Sequence, residues 1–168
     1  MNRCAGLVDL IGKPADPLAA NPGQLHVFVF TRTDCPVANS YAPEVQRLAD
    51  LYRDHRVDFQ LVYCDPDETS AMIKNHLAEY LYRVPALRDP SREFARRCGV
   101  KVTPEVAVMR ADGTLAYRGR IDDRYADFGK SRRAATKHDL ARAIDCAIAG
   151  REVPAAEGSA VGCFIEGL

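Results

Sequence analysis

The 168 residues are enough for one domain with a substantial core and few for two. With 47% hydrophobic and 27% charged residues, and 23 basic against 23 acidic side chains, the chain has a globular profile and no formal net charge. That balance argues against a general nucleic-acid or anionic-membrane binder, and Arg96-Arg97 and Arg132-Arg133 are too short to reverse it.

No stretch approaches the roughly 18 apolar residues of a membrane span. The opening Met1-Asn2-Arg3-Cys4-Ala5-Gly6 is not followed by the apolar core of a secretory signal. The expected location is therefore cytoplasmic, with export the alternative if a leader has been removed.

From Asn2 to Gln24, Pro14, Pro17, Pro22 and Gly23 mark an irregular lead-in with a short strand near Leu7 to Ile11. Leu25 to Phe30 is a continuous apolar run of strand length, suited to a central strand covered on both faces. Val45, Leu48, Leu51 and Tyr52 recur at helical spacing and predict a helix over Ala42 to Asp54, with Pro43 in its first turn. Val57 to Cys64 reads as a second buried strand. Met72, Ile73, His76, Leu77, Tyr80 and Leu81 mark an amphipathic helix, and a short one follows around Ser91 to Cys98, ended by Gly99. Glu105 to Met109 and Leu115 to Gly119 flank Asp112-Gly113, a strong hairpin signal. A final helix spans about Lys137 to Ala149, with Thr136 the expected N-cap and Gly150 the stop. The order implies an α/β chain: a parallel pair joined by a crossover, an antiparallel hairpin, and helices over a mixed central sheet.

Six cysteines stand at 4, 35, 64, 98, 146 and 163 with no CxxC or CxxH spacing, so neither a structural zinc site nor a small disulfide scaffold is expected. No metal or cofactor is expected, and His26, His55, His76 and His138 are dispersed. Cys35 is the exception among the thiols. It lies between the first buried strand and its helix, where unpaired N–H groups and the helix dipole lower a thiol's pKa below about 8.5. Asp34 opposes this if its charge faces the sulfur. Arg120, in the charged stretch Arg118 to Asp123, would favour the thiolate if it came near.

Phe30-Thr31-Arg32-Thr33-Asp34-Cys35-Pro36-Val37-Ala38-Asn39-Ser40-Tyr41-Ala42-Pro43-Glu44 resembles the strand–active-site–helix block of the thioredoxin superfamily, in particular its redoxin branch of alkyl hydroperoxide reductase and thiol-specific antioxidant-like proteins. Gly99-Val100-Lys101-Val102-Thr103-Pro104-Glu105 resembles that family's cis-proline loop. The resemblance covers about Leu25 to Ala149. It implies a thioredoxin fold over the whole chain, with an N-terminal extension and a tail at 150–168. Cys35 falls on the family's nucleophile, and Pro36, Thr103 and Pro104 line its substrate groove, Pro104 being cis.

Three departures matter. Ala38 stands where a dithiol thioredoxin has its second cysteine, Arg32 where a peroxiredoxin has Thr or Ser, and Thr31 where a copper chaperone has its other cysteine. The resemblance thus implies a thiol oxidoreductase, acting on disulfides or small peroxides, that needs a distant or external resolving thiol. Cys163 and Cys64 are the internal candidates, Cys98 a weaker one, and Cys4 and Cys146 structural. Val161-Gly162-Cys163-Phe164 resembles a tail of single-cysteine members of the branch. Implied partners are a thiol or disulfide protein, a small peroxide, and an external reductant such as thioredoxin or glutathione. The alternative is a binding module on the same scaffold, without redox turnover, for a partner protein or a copper ion held through Cys35.

Overall fold

A computed structural model of the chain describes residues 4–168, so Met1-Asn2-Arg3 of the expected lead-in lie outside the described residues. The lead-in carries one short helix, α1 (Pro17–Ala20). The strand expected near Leu7 to Ile11 is reduced to isolated bridges of Val8 with Pro14 and Arg88. Pro14 lacks an N–H, so a ladder cannot grow past it.

The apolar run forms β1 (Leu25–Thr31), buried from His26 onward. Its side chains alternate between the two faces of the sheet, Val27 and Val29 entering one core layer and Phe28 and Phe30 the other. A short helix unforeseen in the sequence, α2 (Pro36–Ser40), is separated by a break at Tyr41 from the expected one, α3 (Ala42–Tyr52), which a 3-10 turn at Arg53–His55 follows. Pro43 explains the break, because it has no N–H to offer the carbonyl of Asn39. β2 (Val57–Tyr63) then pairs in parallel with β1, from Leu25↔Val57 to Thr31↔Tyr63.

After α4 (Ser70–Glu79), capped by the Thr69 hydroxyl, a three-residue strand unforeseen in the sequence, β3 (Ala86–Arg88), joins β2 in parallel. It is too short for a periodic signal. The helix expected at Ser91 to Cys98 is α5 (Glu93–Cys98), closed by Gly99 at φ 71°. Next come β4 (Val102–Thr103), then the expected hairpin of β5 (Glu105–Met109) and β6 (Leu115–Gly119), and an unforeseen small one, β7 (Tyr125–Asp127) with β8 (Lys130–Ser131). The final helix, α6 (Asp139–Ile148), starts later than expected, with His138 at its N-cap. Thr136 does not cap it, because its hydroxyl and N–H both donate to the Asp123 carboxylate.

The central sheet has the order β3-β2-β1-β5-β6, with β5 antiparallel to β1. One core layer, with Val45, Leu48, Ile73, Leu140 and Ile144, lies under α3, α4 and α6. The other holds Leu7, Leu18, Phe94 and Ala95, from the lead-in, α1 and α5. Outside the sheet, β9 (Cys163–Phe164) runs antiparallel to β4. Among the described residues, no helix is long and apolar enough to cross a membrane.

Candidate active site

β1 delivers the chain to its C-terminal edge, and Cys35 becomes the N-cap of α2. Its extended backbone lets the sulfur accept a hydrogen bond from the Ala38 N–H at 3.4 Å. Across from it the Thr103–Pro104 peptide is cis, and the Cys35 thiol donates to the Thr103 carbonyl at 3.1 Å. Cys35 has no solvent exposure.

Segment 150–168 completes the site. β9 pairs Thr103 with Cys163 and Val102 with Phe164, and this register sets Cys163 beside Cys35, near enough to draw its pKa down. Gly162 permits the approach: a β-carbon there would stand 1.8 Å from the Thr103 carbonyl oxygen. The segment is tied down on both sides. Upstream, Glu157 is ion-paired to Lys137 and Arg142; downstream, Ile165 is buried and its N–H bonds the Lys101 carbonyl.

Burial pushes the Cys35 thiol up, but hydrogen bonds from the side chains of Cys163 and Thr103 and from the N–H groups of Ala38 and Cys163 outweigh it. Its pKa lies below the ordinary thiol value. Cys163 is pushed up to about 11 by partial burial, by its hydrogen bond to Cys35 and by that neighbour's negative charge. Of the two thiols, Cys35 is therefore the more acidic and Cys163 the one that holds its proton longer.

Cys64 is not part of this arrangement. It lies just past β2, near the same sheet edge, but belongs to the opposite core layer with Cys4 and Cys98. Burial pushes it well above the ordinary value, and Cys4 and Cys98 up to about 12. None of the six cysteines is joined in a disulfide.

Other expectations are revised. Pro36 is exposed at the start of α2, but Thr103 and Pro104 are buried, and the edge expected to receive a substrate already holds β9. Arg120 does not serve Cys35: its guanidinium is spent on the buried Asp139 carboxylate at 2.6 Å. Asp34 turns its side chain to solvent and pairs with Arg32 at 3.0 Å, while Arg32 also reaches Asp65.

Several supporting residues were not legible as such. Buried Glu68 accepts the Thr33 N–H at 2.6 Å, and Asn39 donates to the Thr33 carbonyl at 2.9 Å. His76 links Asn39 and Tyr63 through its two ring nitrogens, each at 2.8 Å. In sequence His76 looks like an ordinary core position of α4. A cleft of about 1050 Å³ is lined by Gly162 and Phe164 but by neither thiol of the pair, so it is not where the sulfur chemistry lies. Glu44, Asp122 and His138 bring ligand atoms within 4.8 Å of one another. Two of the three are otherwise engaged, Glu44 by Arg47 and Asp122 by the Tyr41 hydroxyl and the Arg124 N–H.

A mixed sheet flanked by helices, a cysteine capping the helix after β1 and a cis-proline loop facing it define a thioredoxin-fold protein. The redoxin family model matches residues 7–132, and the chain belongs to that family. Similar solved structures include a hypothetical protein, SMc02350, from Sinorhizobium meliloti 1021, with 23% identity, TM-score 0.80 and coverage of 95% of this chain and 88% of that one. An uncharacterized conserved protein from Geobacillus kaustophilus gives 24%, 0.77, 95% and 86% respectively. A secreted Mycobacterium tuberculosis disulfide oxidoreductase gives 21%, 0.60, 89% and 97%. A search of curated proteins finds no match.

Proposed function

We propose that the protein is a dithiol–disulfide oxidoreductase whose redox pair is Cys35 and Cys163. The observation that carries this reading is the β4–β9 register, which pairs Cys163 with Thr103, the residue whose carbonyl the Cys35 thiol bonds. The second thiol, absent at Ala38, is supplied from segment 150–168. Fixing two reactants in contact raises their effective concentration by orders of magnitude, so the segment does for Cys35 what a CxxC loop does locally.

Oxidation joins the two sulfurs and releases two protons and two electrons to a disulfide substrate; reduction of the pair reverses this. Membership of the redoxin family and the lowered pKa of Cys35 support a thiol oxidoreductase in general. Disulfide exchange is favoured over peroxide reduction because Arg32, in the peroxiredoxin Thr/Ser position, is held by Asp34 and Asp65.

The test is mass spectrometry of disulfide-linked peptides after mild oxidation with glutathione disulfide. A Cys35–Cys163 linkage, together with loss of exchange activity in Cys35→Ser and Cys163→Ser, is expected. A Cys35–Cys64 linkage, or wild-type rates in Cys163→Ser, would overturn the reading. Stable sulfenic acid on Cys35 after peroxide, with no linkage, would favour a peroxidase instead.

A further inference from the structure

We propose that external thiols exchange with this protein at the Cys163 sulfur and that Cys35 is the leaving group, never itself carrying the mixed disulfide. This rests on the Cys35–Cys163 pair proposed above. Two observations lead to it. Cys35 has no solvent exposure, while Cys163 keeps part of its surface in water. The β4 edge beside Cys35, from which a substrate chain could reach its sulfur, is filled by β9 and closed by the contact of Gly162 with the Thr103 carbonyl.

In the disulfide form a small thiolate, such as that of glutathione, attacks the Cys163 sulfur. The Cys35–Cys163 bond breaks, a bond forms between Cys163 and the incoming sulfur, and the electron pair leaves on Cys35. That thiolate departs into prepared surroundings at the start of α2, accepting the Ala38 N–H. A more acidic thiol is the better leaving group, so the chemistry and the access favour the same sulfur. A second thiolate then attacks the glutathione sulfur of the adduct and releases Cys163. The sum is one protein disulfide and two thiols converted to one protein dithiol and one external disulfide.

This division of labour cannot be inferred from the position of Cys35 in the fold. A cysteine capping the helix after β1 suggests the sulfur that meets the partner. Here it becomes the shielded one, because the chain supplies its own strand to the groove.

The experiment uses the full chain oxidised to the Cys35–Cys163 disulfide. Reduced glutathione is added, the reaction is acid-quenched at early times, free thiols are alkylated, and the peptides are mapped. The expected early species carries glutathione on Cys163 and the alkyl label on Cys35, with at least tenfold less of the reverse. Glutathione on Cys35 in equal or greater amount overturns the inference and leaves the redox pair standing. If no Cys35–Cys163 disulfide forms at all, the pair itself is overturned, and this inference with it. As a second arm, glutathione disulfide is offered to the reduced Cys163→Ala protein. Its Cys35 should be glutathionylated at least tenfold more slowly than free glutathione exchanges, once circular dichroism shows native structure. A rate equal to that of the free thiol overturns the shielding on which the inference stands.

Discussion

Cys35 and Cys64 lie near the same edge of the sheet, each following one of two adjacent parallel strands, and both are essentially without solvent contact. Their chemistry is pulled in opposite directions. Cys64, in the layer with Cys4 and Cys98, lies near Asp89 and Glu68, and burial pushes it up. Cys35 is as deeply buried but receives N–H and side-chain donors from α2, β4 and β9, and falls below its ordinary value. The difference shows that burial alone silences a thiol, and that a hydrogen-bond cage is what reverses it.

The hardest blow to this contrast is Cys35→Ser, which should lower disulfide exchange on the order of a thousandfold or more, measured with an insulin or glutathione disulfide assay. Gly162→Ala comes next. Its new methyl group cannot coexist with the Thr103 carbonyl, so β9 must lift, and exchange should fall about ten- to a hundredfold with the fold retained by circular dichroism. The same variant should raise the Cys35 pKa, read from ultraviolet thiolate absorbance, because two of its donors come from Cys163.

The silent layer should respond differently. Cys64→Ala is expected to leave exchange unchanged and to cost about 1–2 kcal/mol in chemical denaturation, the consequence of a small cavity. A wild-type loss of activity in that variant would break the contrast outright. The remaining effect is in pH dependence. Cys98 holds its proton up to about 12, whereas the unfolded chain releases it near the ordinary value of 9.0. Its contribution to stability is thus complete below pH 9.0 and is lost as pH rises from there through about 12. Cys98→Ala should flatten the alkaline fall in stability by about 1 kcal/mol per pH unit, as followed by denaturant titrations across that range.

Much of this was legible in the sequence. The run of Leu25 to Phe30, the helical spacing around Leu48, and the Asp112-Gly113 hairpin are local signals, each strong because propensity and burial agree. The strand-edge position of Cys35 followed from them. Whether Arg120 came near Cys35 could not be read because charge spacing says nothing about direction; its guanidinium faces Asp139. Thr136 was misread because Asp123 claims it first. Short β3, β4 and β9 lack the length for a periodic signal, and their pairing depends on contacts remote in sequence. Cys163 could be named as a candidate, but only the pairing of Thr103 with it distinguishes it from Cys64.

One consequence follows from where the two thiols come from. Cys35 and Cys163 are separated by most of the chain, so a bond between them closes a loop of more than a hundred residues. Such a loop restrains the unfolded ensemble by about 5 kcal/mol. By the same thermodynamic cycle, the folded chain favours that bond over the unfolded chain by more than about a thousandfold, since each 1.4 kcal/mol is a factor of ten. For the proposed pair, electron count and heat resistance are thereby tied together: oxidation would staple the molecule, and reduction would unlatch it. A calorimetric scan of the two redox forms reads the catalytic state of the site as a shift in melting temperature.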